Sequence, residues 1–210
     1  MRLRNIKGAS ETIDNSKYVV LDFKNHKGNF NKLFSNENPI HVEIGMGKGD
    51  FIIENARRYP DINFIGIEKF DSVLVRAVQK LELEELNNLL LIKMDAQDIA
   101  DTFSKEVDTI YLNFSDPWPK TRHAPRRLTS KKFLERYDEV FKENKNIIMK
   151  TDNYNLFEYS IESFNDYGYK IKDICFDLYK EDILENIPTE YENKFKTKGP
   201  IYRIAVHKTD

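Results

Sequence analysis

Short apolar runs alternate with amphipathic segments along most of this chain of 210 residues. Apolar and β-branched runs of about four to eight residues predict buried strands, whereas apolar positions that recur every three or four residues predict helices. These rules predict strands at 40–44, 63–68, 89–94, 107–114, 146–150, 169–179 and 201–207. They predict helices at 50–59, 71–83, 96–103, 130–143 and 154–164.

The order of these elements predicts an α/β fold. Strands separated by helices form right-handed βαβ units and a mainly parallel sheet, here of seven strands. The last two strands have no convincing helix between them, so we expect them to close one edge of the sheet as an antiparallel pair. Residues 180–199, which separate them, show only weak periodicity around 182–186 and are expected to form a functional or disordered loop.

The length of the chain suits one domain with one substantial core. We expect residues 39–210 to form this core and residues 1–38 to form a basic N-terminal arm and lead-in. No apolar run approaches the ~18 residues of a membrane span, and no apolar signal segment follows the basic start. The single cysteine, Cys175, has no partner for an intrachain disulfide, which is typical of a reducing compartment. The sequence therefore predicts a cytoplasmic protein without membrane contact.

Positive charge is concentrated in one segment, although the whole chain has a formal net charge of -2. Between residues 120 and 132 every charged residue is a cation, namely Lys120, Arg122, Arg126, Arg127, Lys131 and Lys132. Such a concentration favours contact with a polyanion. The alternative is a solvated charged surface.

The first predicted strand ends in the sequence EIGMGKG, residues 43–49, and passes into a helix. Glycines at alternate positions allow a tight turn and a close approach of a ligand to the backbone, as in nucleotide-binding folds. A dinucleotide would place its pyrophosphate on this turn, where Glu43 would repel it. S-adenosylmethionine has no phosphate and carries an ammonium and a sulfonium group, so it suits an acidic turn better. The Gly-Lys-Ser/Thr sequence of a P-loop is absent.

Two further carboxylates follow the next two predicted strands. Glu68 ends the second strand, where it can accept hydrogen bonds from both ribose hydroxyls of a nucleoside. Asp95 follows the third strand, next to Ala96, where it can accept from the adenine amino group. With Glu43 and the turn glycines, these residues predict a site for the methyl donor at the strand ends.

The segment NFSDPWPK, residues 113–120, is the most informative part of the chain. An apolar strand runs directly into Asp116, which is followed by two prolines and the only tryptophan, Trp118. Each proline fixes its own φ and restricts the residue before it, so the directions of the carboxylate and the indole are narrowly set. Such a segment suits a reaction centre better than a core, and the alternative is a rigid loop with a surface tryptophan.

The motifs together resemble those of bacterial tRNA (guanine-N7-)-methyltransferases, in the right order and over nearly the whole chain. The matching segments are EIGMGKG at 43–49, GIE at 66–68, DPWPK at 116–120 with the following RH and RRL, TDN at 151–153, TEYE at 189–192 with KF, and GPIYR at 199–203. Two departures are small. Ser115 stands where this family is expected to have proline, and Thr121, Ala124 and Pro125 interrupt the basic run.

The resemblance implies a class I S-adenosylmethionine-dependent methyltransferase fold, which is Rossmann-like. It implies methyl transfer to N7 of a guanine in the tRNA variable loop, with S-adenosylhomocysteine as product and no metal. The implied donor contacts are Glu43, Gly45, Gly47, Glu68, Asp95, Ala96 and Asp116, and Asp116 is also the implied catalytic residue. The predicted tRNA contacts are Lys120, Arg122, Arg126, Arg127, Asp152, Thr189, Glu190, Tyr191 and Glu192. Members of this family occur as monomers and as homodimers, so both assemblies stay open.

Two alternatives to this function remain at the sequence level. An exocyclic-amine methyltransferase would carry an Asp/Asn-Pro-Pro-aromatic loop, but Trp118 stands in place of the second proline and a basic run follows. A non-catalytic RNA-binding protein could keep the donor fold, but the four carboxylates at the expected donor positions are intact. Both observations favour the N7 methyltransferase.

Overall fold

The computed structural model of the protein describes residues 6–181 and 186–209. Within these residues the strands are β1 (Ile40–Ile44), β2 (Asn63–Glu68), β3 (Leu89–Lys93), β4 (Val107–Asn113), β5 (Phe141–Thr151), β6 (Lys170–Cys175) and β7 (Tyr202–Lys208). The α-helices are α1 (Ala9–Asp14), α2 (Asn31–Phe34), α3 (Asp50–Arg58), α4 (Asp71–Leu81), α5 (Ile99–Thr102), α6 (Lys131–Val140), α7 (Tyr154–Asp166) and α8 (Glu190–Phe195). Three 3₁₀ segments cover Phe23–His26, Ala96–Asp98 and Thr121–Arg126.

The strands form one sheet in the order β3-β2-β1-β4-β5-β7-β6. The first five strands in this order pair in parallel, and β7 is antiparallel to both β5 and β6. The predicted α/β fold, with a mainly parallel seven-stranded sheet and an antiparallel C-terminal edge, is therefore confirmed. The strand order reverses between β1 and β4, and ligands of open α/β sheets bind at such a switch point, beyond the carboxyl ends of the strands.

Helices cover both faces of the sheet, which is why its central strands are apolar on both sides. Every residue of β2 is buried. Neighbouring β2 residues point to opposite faces, so Phe64 packs with residues of α1, α3 and α4, whereas Ile65 packs with residues of α5, α6 and α7. The two apolar clusters hold the strand ends in fixed positions.

Several predicted boundaries were wrong at the ends of elements. The helix predicted over 130–143 ends at Val140, because Phe141 is extended, fully buried and paired with Val107 as the first residue of β5. The predicted helix 96–103 is a 3₁₀ turn followed by the short helix α5. The predicted strand 169–179 pairs only over Lys170–Cys175.

The predicted loop 180–199 contains a helix, α8, that the weak periodicity did not indicate. Thr189 begins it: its hydroxyl accepts from the Glu192 backbone, while the Glu192 carboxylate accepts from the Thr189 backbone. This reciprocal capping box is a helix-start signal that the sequence Thr-x-x-Glu carries. Most of the segment 182–186, where the sequence shows weak periodicity, lies outside the described residues.

The lead-in before β1 packs onto the sheet over its described part. Helix α1 lies against α4, and Val19 forms an isolated parallel bridge with Leu91 of the edge strand β3. The backbone amides of Gly28 and Phe30 both donate to the Glu106 carboxylate, at 2.8 and 3.0 Å. The cationic residues Arg2 and Arg4 of the predicted basic arm lie outside the described residues.

Candidate active site

A cavity of about 860 Å³ lies at the carboxyl ends of the parallel strands. Its walls come from the segments that follow β1, β2, β3 and β4 and from the start of α6. Of the residues that the sequence predicts for the site, the cavity brings together Gly45, Glu68, Asp95, Ala96, Asp116, Arg122 and Arg126. The other predicted residues are not among those that line it, namely Glu43, Gly47, Lys120, Arg127, Asp152, Thr189, Glu190, Tyr191 and Glu192.

The glycine turn after β1 presents bare backbone to the cavity. Gly45 and Gly47 have φ of 75° and 60°, a region that favours glycine, and a Cβ at either position would meet no atom within 4 Å. The amides of Gly45 and Met46 both donate to the Ile67 carbonyl oxygen, at 2.9 and 3.0 Å. The turn is thus tied to β2 while its open side remains available to a ligand.

Glu68, at the end of β2, is almost completely buried and firmly oriented. One carboxylate oxygen accepts from the backbone amides of Lys69 and Phe70, at 2.8 and 3.0 Å. The other accepts from the Gly47 amide at 3.2 Å. Burial raises the pKa of Glu68, and these backbone donors oppose that rise. A carboxylate has about four acceptor positions, so Glu68 keeps capacity for a hydroxyl donor.

Glu43 and Asn113 are joined by a hydrogen bond, and each keeps one buried oxygen without a partner. Glu43 is 1% exposed, and its Oε1 accepts from Asn113 Nδ2 at 2.8 Å. Glu43 Oε2 and Asn113 Oδ1 are buried and have no hydrogen-bond partner. Burial raises the pKa of Glu43 to about 7. Buried polar atoms normally have partners, so this pair fits a ligand group that carries positive charge and several N–H donors.

Asp95 lies on the cavity wall, where the sequence predicts an adenine contact. Its Oδ1 accepts from the Gln97 amide at 2.9 Å, which caps the 3₁₀ turn after β3. Its Oδ2 accepts from Lys69 Nζ at 2.6 Å. An adenine amino group at Asp95 would therefore share this oxygen with the exposed Lys69 side chain or displace it.

Residues 113–120, which we call the Asp116 loop, hold two non-glycine residues in the left-handed region. Phe114 has φ of 51° and Trp118 has φ of 42°, and such conformations cost about 1–3 kcal/mol each. The Phe114 amide donates to the Lys150 carbonyl at 2.8 Å. The exposed Asp116 carboxylate lines the cavity and has no hydrogen-bond or ion-pair partner among the described residues.

Basic residues form another part of the cavity wall. Arg122 and Arg126 lie there, and the Arg126 guanidinium stands 4.9 Å from the centre of the Trp118 ring. The sequence reasoning missed Lys132 and Arg136, which line the same cavity from α6. The signal was present, because the basic run ends at Lys132 and a helix places residues four apart on one face.

Arg127 and Lys120 do not line the cavity. Lys120 is exposed at the end of the Asp116 loop. Arg127 turns inward: it donates to the carbonyl oxygens of Pro117 and Trp118, at 3.0 and 3.2 Å. Its guanidinium lies 4.2 Å from the centre of the Tyr159 ring. The structure therefore places Arg127 behind the loop.

A buried ion pair holds α8 against β5. Lys150 Nζ and Glu192 Oε2 are 2.6 Å apart, and their side chains are 3% and 0% exposed. Glu192 Oε1 also accepts from the Tyr179 hydroxyl at 2.8 Å. Thr189 and Glu192, predicted as tRNA contacts, are thus occupied with capping and anchoring this helix.

The remaining predicted residues of α8 reach the glycine turn and the Asp116 loop. Glu190 accepts from Lys48 Nζ of the turn at 2.9 Å. Hydrogen bonds from Lys194 and then Lys48 lower the pKa of Glu190 to about 2. Tyr191 donates to Asp152 at 2.8 Å, and its ring centre lies 4.9 Å from that of Phe114.

Known proteins with similar sequences share one activity in their names. A family model described as a putative methyltransferase matches residues 37–204. The tRNA (guanine-N(7)-)-methyltransferase of Lachnoclostridium phytofermentans is 50% identical over 208 residues, which are 98% of this chain and 97% of that protein. The enzyme of the same name from Oceanobacillus iheyensis is 51% identical over 206 residues, which are 97% of each chain. This chain belongs to the tRNA (guanine-N(7)-)-methyltransferase family.

Solved structures place this family member in the class I methyltransferase fold, as the motifs implied. An antibiotic-related methyltransferase gives a TM-score of 0.68 at 15% identity, over 98% of this chain and 99% of that chain. The 16S rRNA methyltransferase KamB gives 0.66 at 14% identity, over 87% and 93%. A 16S rRNA (adenine(1408)-N(1))-methyltransferase mutant with its cosubstrate SAM gives 0.63 at 13% identity, over 91% and 93%.

The described residues contain neither a metal-binding cluster nor a helix able to span a membrane. Among residues 6–181 and 186–209, no group of three or more His, Cys, Asp or Glu side chains is placed to hold a metal ion. No helix in the same part of the chain has the length and apolar character needed to cross a bilayer.

Proposed function

We propose that this chain transfers a methyl group from S-adenosylmethionine to N7 of a guanine in the variable loop of tRNA. The products are 7-methylguanosine and S-adenosylhomocysteine. The observation that carries this proposal is the polarity of one cavity. Asn113, whose buried Oδ1 has no partner, lines it at the strand ends and holds the buried Glu43 by a hydrogen bond, while cations and the Asp116 loop line other parts of the same cavity.

The strand-end residues fit the methyl donor. Glu43 and Asn113 offer two buried oxygens without partners, which suit the three N–H donors and the charge of the donor's ammonium group. Glu68, which already accepts three backbone hydrogen bonds, has capacity left for a ribose hydroxyl, and Asp95 with Ala96 is the proposed adenine contact. When bound, S-adenosylmethionine supplies a methyl group made electrophilic by its sulfonium charge. Gly45 and Gly47 let it approach the backbone closely.

Guanine N7 needs orientation more than it needs a base. N7 carries a lone pair in the ring plane and no proton, so no residue has to remove one. Holding two reacting groups in line supplies about 7–11 kcal/mol in favourable systems. Positive charge moves onto the purine during transfer, and Asp116 stabilises that charge or accepts from the N1 and N2 donors of the guanine. Asp116 is the proposed catalytic residue in this sense.

The basic wall beside Asp116 suits an RNA backbone. Arg122, Arg126, Lys132 and Arg136 line the cavity, and phosphate neutralisation by such residues drives nucleic-acid affinity. N7 lies on the major-groove edge, which proteins hardly reach in an A-form helix. An open region such as the tRNA variable loop removes that obstacle, which supports it as the site of modification.

The surface beside the Asp116 loop completes the proposed tRNA interface. Lys120, Asp152, Glu190 and Tyr191 are the proposed direct contacts there. Thr189 and Glu192 contribute by holding α8 in place, because their polar groups are already used within the protein.

Assembly and location follow from this proposal only in part. All residues proposed for the donor site belong to one chain, so a monomer suffices for it and a homodimer is equally compatible. Since tRNA is the proposed partner, we propose a cytoplasmic location.

A direct assay tests the proposed function. The purified protein is incubated with an unmodified tRNA transcript and S-adenosylmethionine labelled in the methyl group, and the RNA is then digested to nucleosides. We expect the label in 7-methylguanosine from one position in the variable loop. Label in an exocyclic-amine product would point to the alternative methyltransferase, and donor binding without transfer would point to a non-catalytic RNA-binding protein.

A further inference from the structure

We infer that Arg127 is a positioning residue for the Asp116 loop and does not contact tRNA. The inference deepens the proposed function and rests on it. It distinguishes Arg127 from Arg126, its neighbour in the basic run, which lines the cavity beside Trp118.

The Arg127 guanidinium supplies hydrogen bonds that the loop cannot make for itself. Nε donates to the Pro117 carbonyl at 3.0 Å, and an Nη donates to the Trp118 carbonyl at 3.2 Å. No other donor reaches these two oxygens among the described residues. Two of the three residues that follow Asp116 are prolines, which have no backbone N–H to offer. The Arg127 guanidinium therefore holds the carbonyl groups of Pro117 and Trp118, the two residues directly after Asp116.

The other side of the guanidinium rests on a fixed part of the fold. Its centre lies 4.2 Å from the Tyr159 ring centre, and Tyr159 belongs to α7. The segment that carries Arg127 is itself tied to α7. Ser160 Oγ lies 2.8 Å from Thr129 Oγ1, and Ser163 donates to the Thr129 carbonyl at 2.6 Å. Arg127 thus connects the Asp116 loop to a helix of the core.

Loss of this connection has a specific consequence for catalysis. Trp118 has φ of 42°, a conformation that persists only where neighbouring contacts hold it. Without the guanidinium, the loop loses two hydrogen bonds and gains alternative conformations, so Asp116 is oriented for transfer in only a fraction of the molecules. Lysine cannot replace arginine here, because it lacks the planar fork and stacks poorly on a ring.

Arg127→Lys is the decisive variant, and Arg58→Lys, at an exposed arginine of α3 outside the cavity, is its matched control and should leave the rate unchanged. Both keep the net charge. With Arg127→Lys we expect the single-turnover methylation rate at saturating tRNA and donor to fall at least tenfold, with tRNA affinity and its salt dependence unchanged. Tyr159→Leu, which keeps the hydrogen bonds but removes the ring, should lower the rate less, and Tyr159→Phe should leave it unchanged. Thermal melting verifies that each variant is folded.

Arg126→Ala and Arg127→Ala then separate phosphate contact from positioning. Loss of one phosphate contact reduces the slope of log affinity against log salt by about 0.7–0.9. We expect this reduction for Arg126→Ala only. A reduced slope for Arg127→Ala, or a wild-type rate for Arg127→Lys, would overturn the inference.

A measurement that does not depend on methyl transfer tests the role of Arg127 even if the proposed function is wrong. Trp118 is the only tryptophan of the chain, so fluorescence excited at a wavelength that tyrosine does not absorb reports on the Asp116 loop. In time-resolved anisotropy without ligands, Arg127→Lys should increase the amplitude of fast local motion relative to the wild type and to Tyr159→Phe. Unchanged anisotropy in folded Arg127→Lys would show that Arg127 does not hold the loop, whatever the protein methylates.

Discussion

At the scale of single residues, the donor site is organised around acceptors that lack donors. Glu43 and Asn113 are buried by the strands and the glycine turn, yet one oxygen of each has no partner. Burial, only partly offset by the Asn113 hydrogen bond and the Lys150 charge, raises the pKa of Glu43 to about 7. A cation at this position would reverse that effect, so donor binding and ionisation of Glu43 are linked.

This linkage predicts how donor affinity depends on pH. The pKa of Glu43 without ligand is about 7, well above its usual value, so below pH 7 the carboxyl is protonated and must ionise to bind a cation. Affinity for S-adenosylmethionine should therefore rise by up to tenfold per pH unit from pH 5.5 to 7 and then level off. Calorimetry in buffers of different ionisation enthalpy should detect proton release. Glu43→Gln should abolish both effects, and a pH dependence that survives in this variant would contradict the assignment.

Substitution of Asp116 tests how charge and orientation share the catalytic effect. Asp116→Asn keeps the shape and removes the charge, whereas Asp116→Ala removes both. We expect the single-turnover rate to fall in the order wild type, Asn, Ala. The larger loss should be on the order of 10²–10³, the scale for losing one preorganised electrostatic contact. Donor-saturated rates of Asn and Ala variants equal to the wild type would remove Asp116 from the reaction.

At the scale of elements, α8 depends on the buried pair of Lys150 and Glu192. Burial lowers the pKa of Lys150, and the Glu192 charge opposes that change. Neither side chain can reach water, so removing one partner leaves a group that must be neutralised or exposed. The helix that this pair holds carries Glu190 to the glycine turn and Tyr191 to Phe114 of the Asp116 loop.

Lys150→Met should therefore destabilise the protein by about 3–5 kcal/mol, as removal of one member of a buried pair does. Adding Glu192→Gln to this variant should recover part of the loss, because the uncompensated charge is gone. Urea unfolding measures both. The exposed pair of Glu54 and Arg58, 2.7 Å apart, provides the control, and Arg58→Ala should cost about 1 kcal/mol or less. A similar small cost for Lys150→Met would show that the pair does not anchor α8.

At the scale of the whole molecule, the net charge of the chain is close to zero, but one wall of the candidate active-site cavity is lined by cationic side chains. Helix α6 carries two neighbouring lysines that can be compared, because only one of them lines the cavity. Lys132 lines the cavity, whereas its neighbour Lys131 is 80% exposed and does not. Both residues belong to the same basic run. If long-range electrostatic attraction alone favoured tRNA binding, the two lysines would contribute equally to the affinity.

Neutralising these two lysines separately tests the position of the RNA. Lys132→Gln should raise the tRNA dissociation constant and reduce the slope of log affinity against log salt by about 0.7–0.9. Lys131→Gln should change the slope much less. Filter-binding titrations at several salt concentrations measure this. Equal slopes for the two variants would indicate that tRNA does not enter the cavity along α6.

The sequence predicted the fold well because parallel strands buried on both faces read as apolar runs. It predicted the strand-end carboxylates for the same reason, since each follows a clear strand. The sequence did not indicate α8, because Thr189, which caps this helix, lies in a segment with so little periodicity that it predicts a loop. It did not separate Arg126 from Arg127, because adjacent residues of one basic run turn to opposite sides of the loop only in three dimensions. The charged Lys150 at the end of an apolar run was the sequence signal for the buried pair.

The central claim is that N7 of one guanine accepts the methyl group on a site built for orientation and charge. A tRNA carrying 7-deazaguanosine at the modified position tests this directly, because a C–H group replaces N7 and the remaining donors and acceptors are retained. We predict that this tRNA binds with nearly the affinity of the unmodified tRNA and accepts no methyl group in a single-turnover assay with labelled S-adenosylmethionine. Methyl transfer to the 7-deazaguanosine tRNA at the unmodified rate would contradict the account.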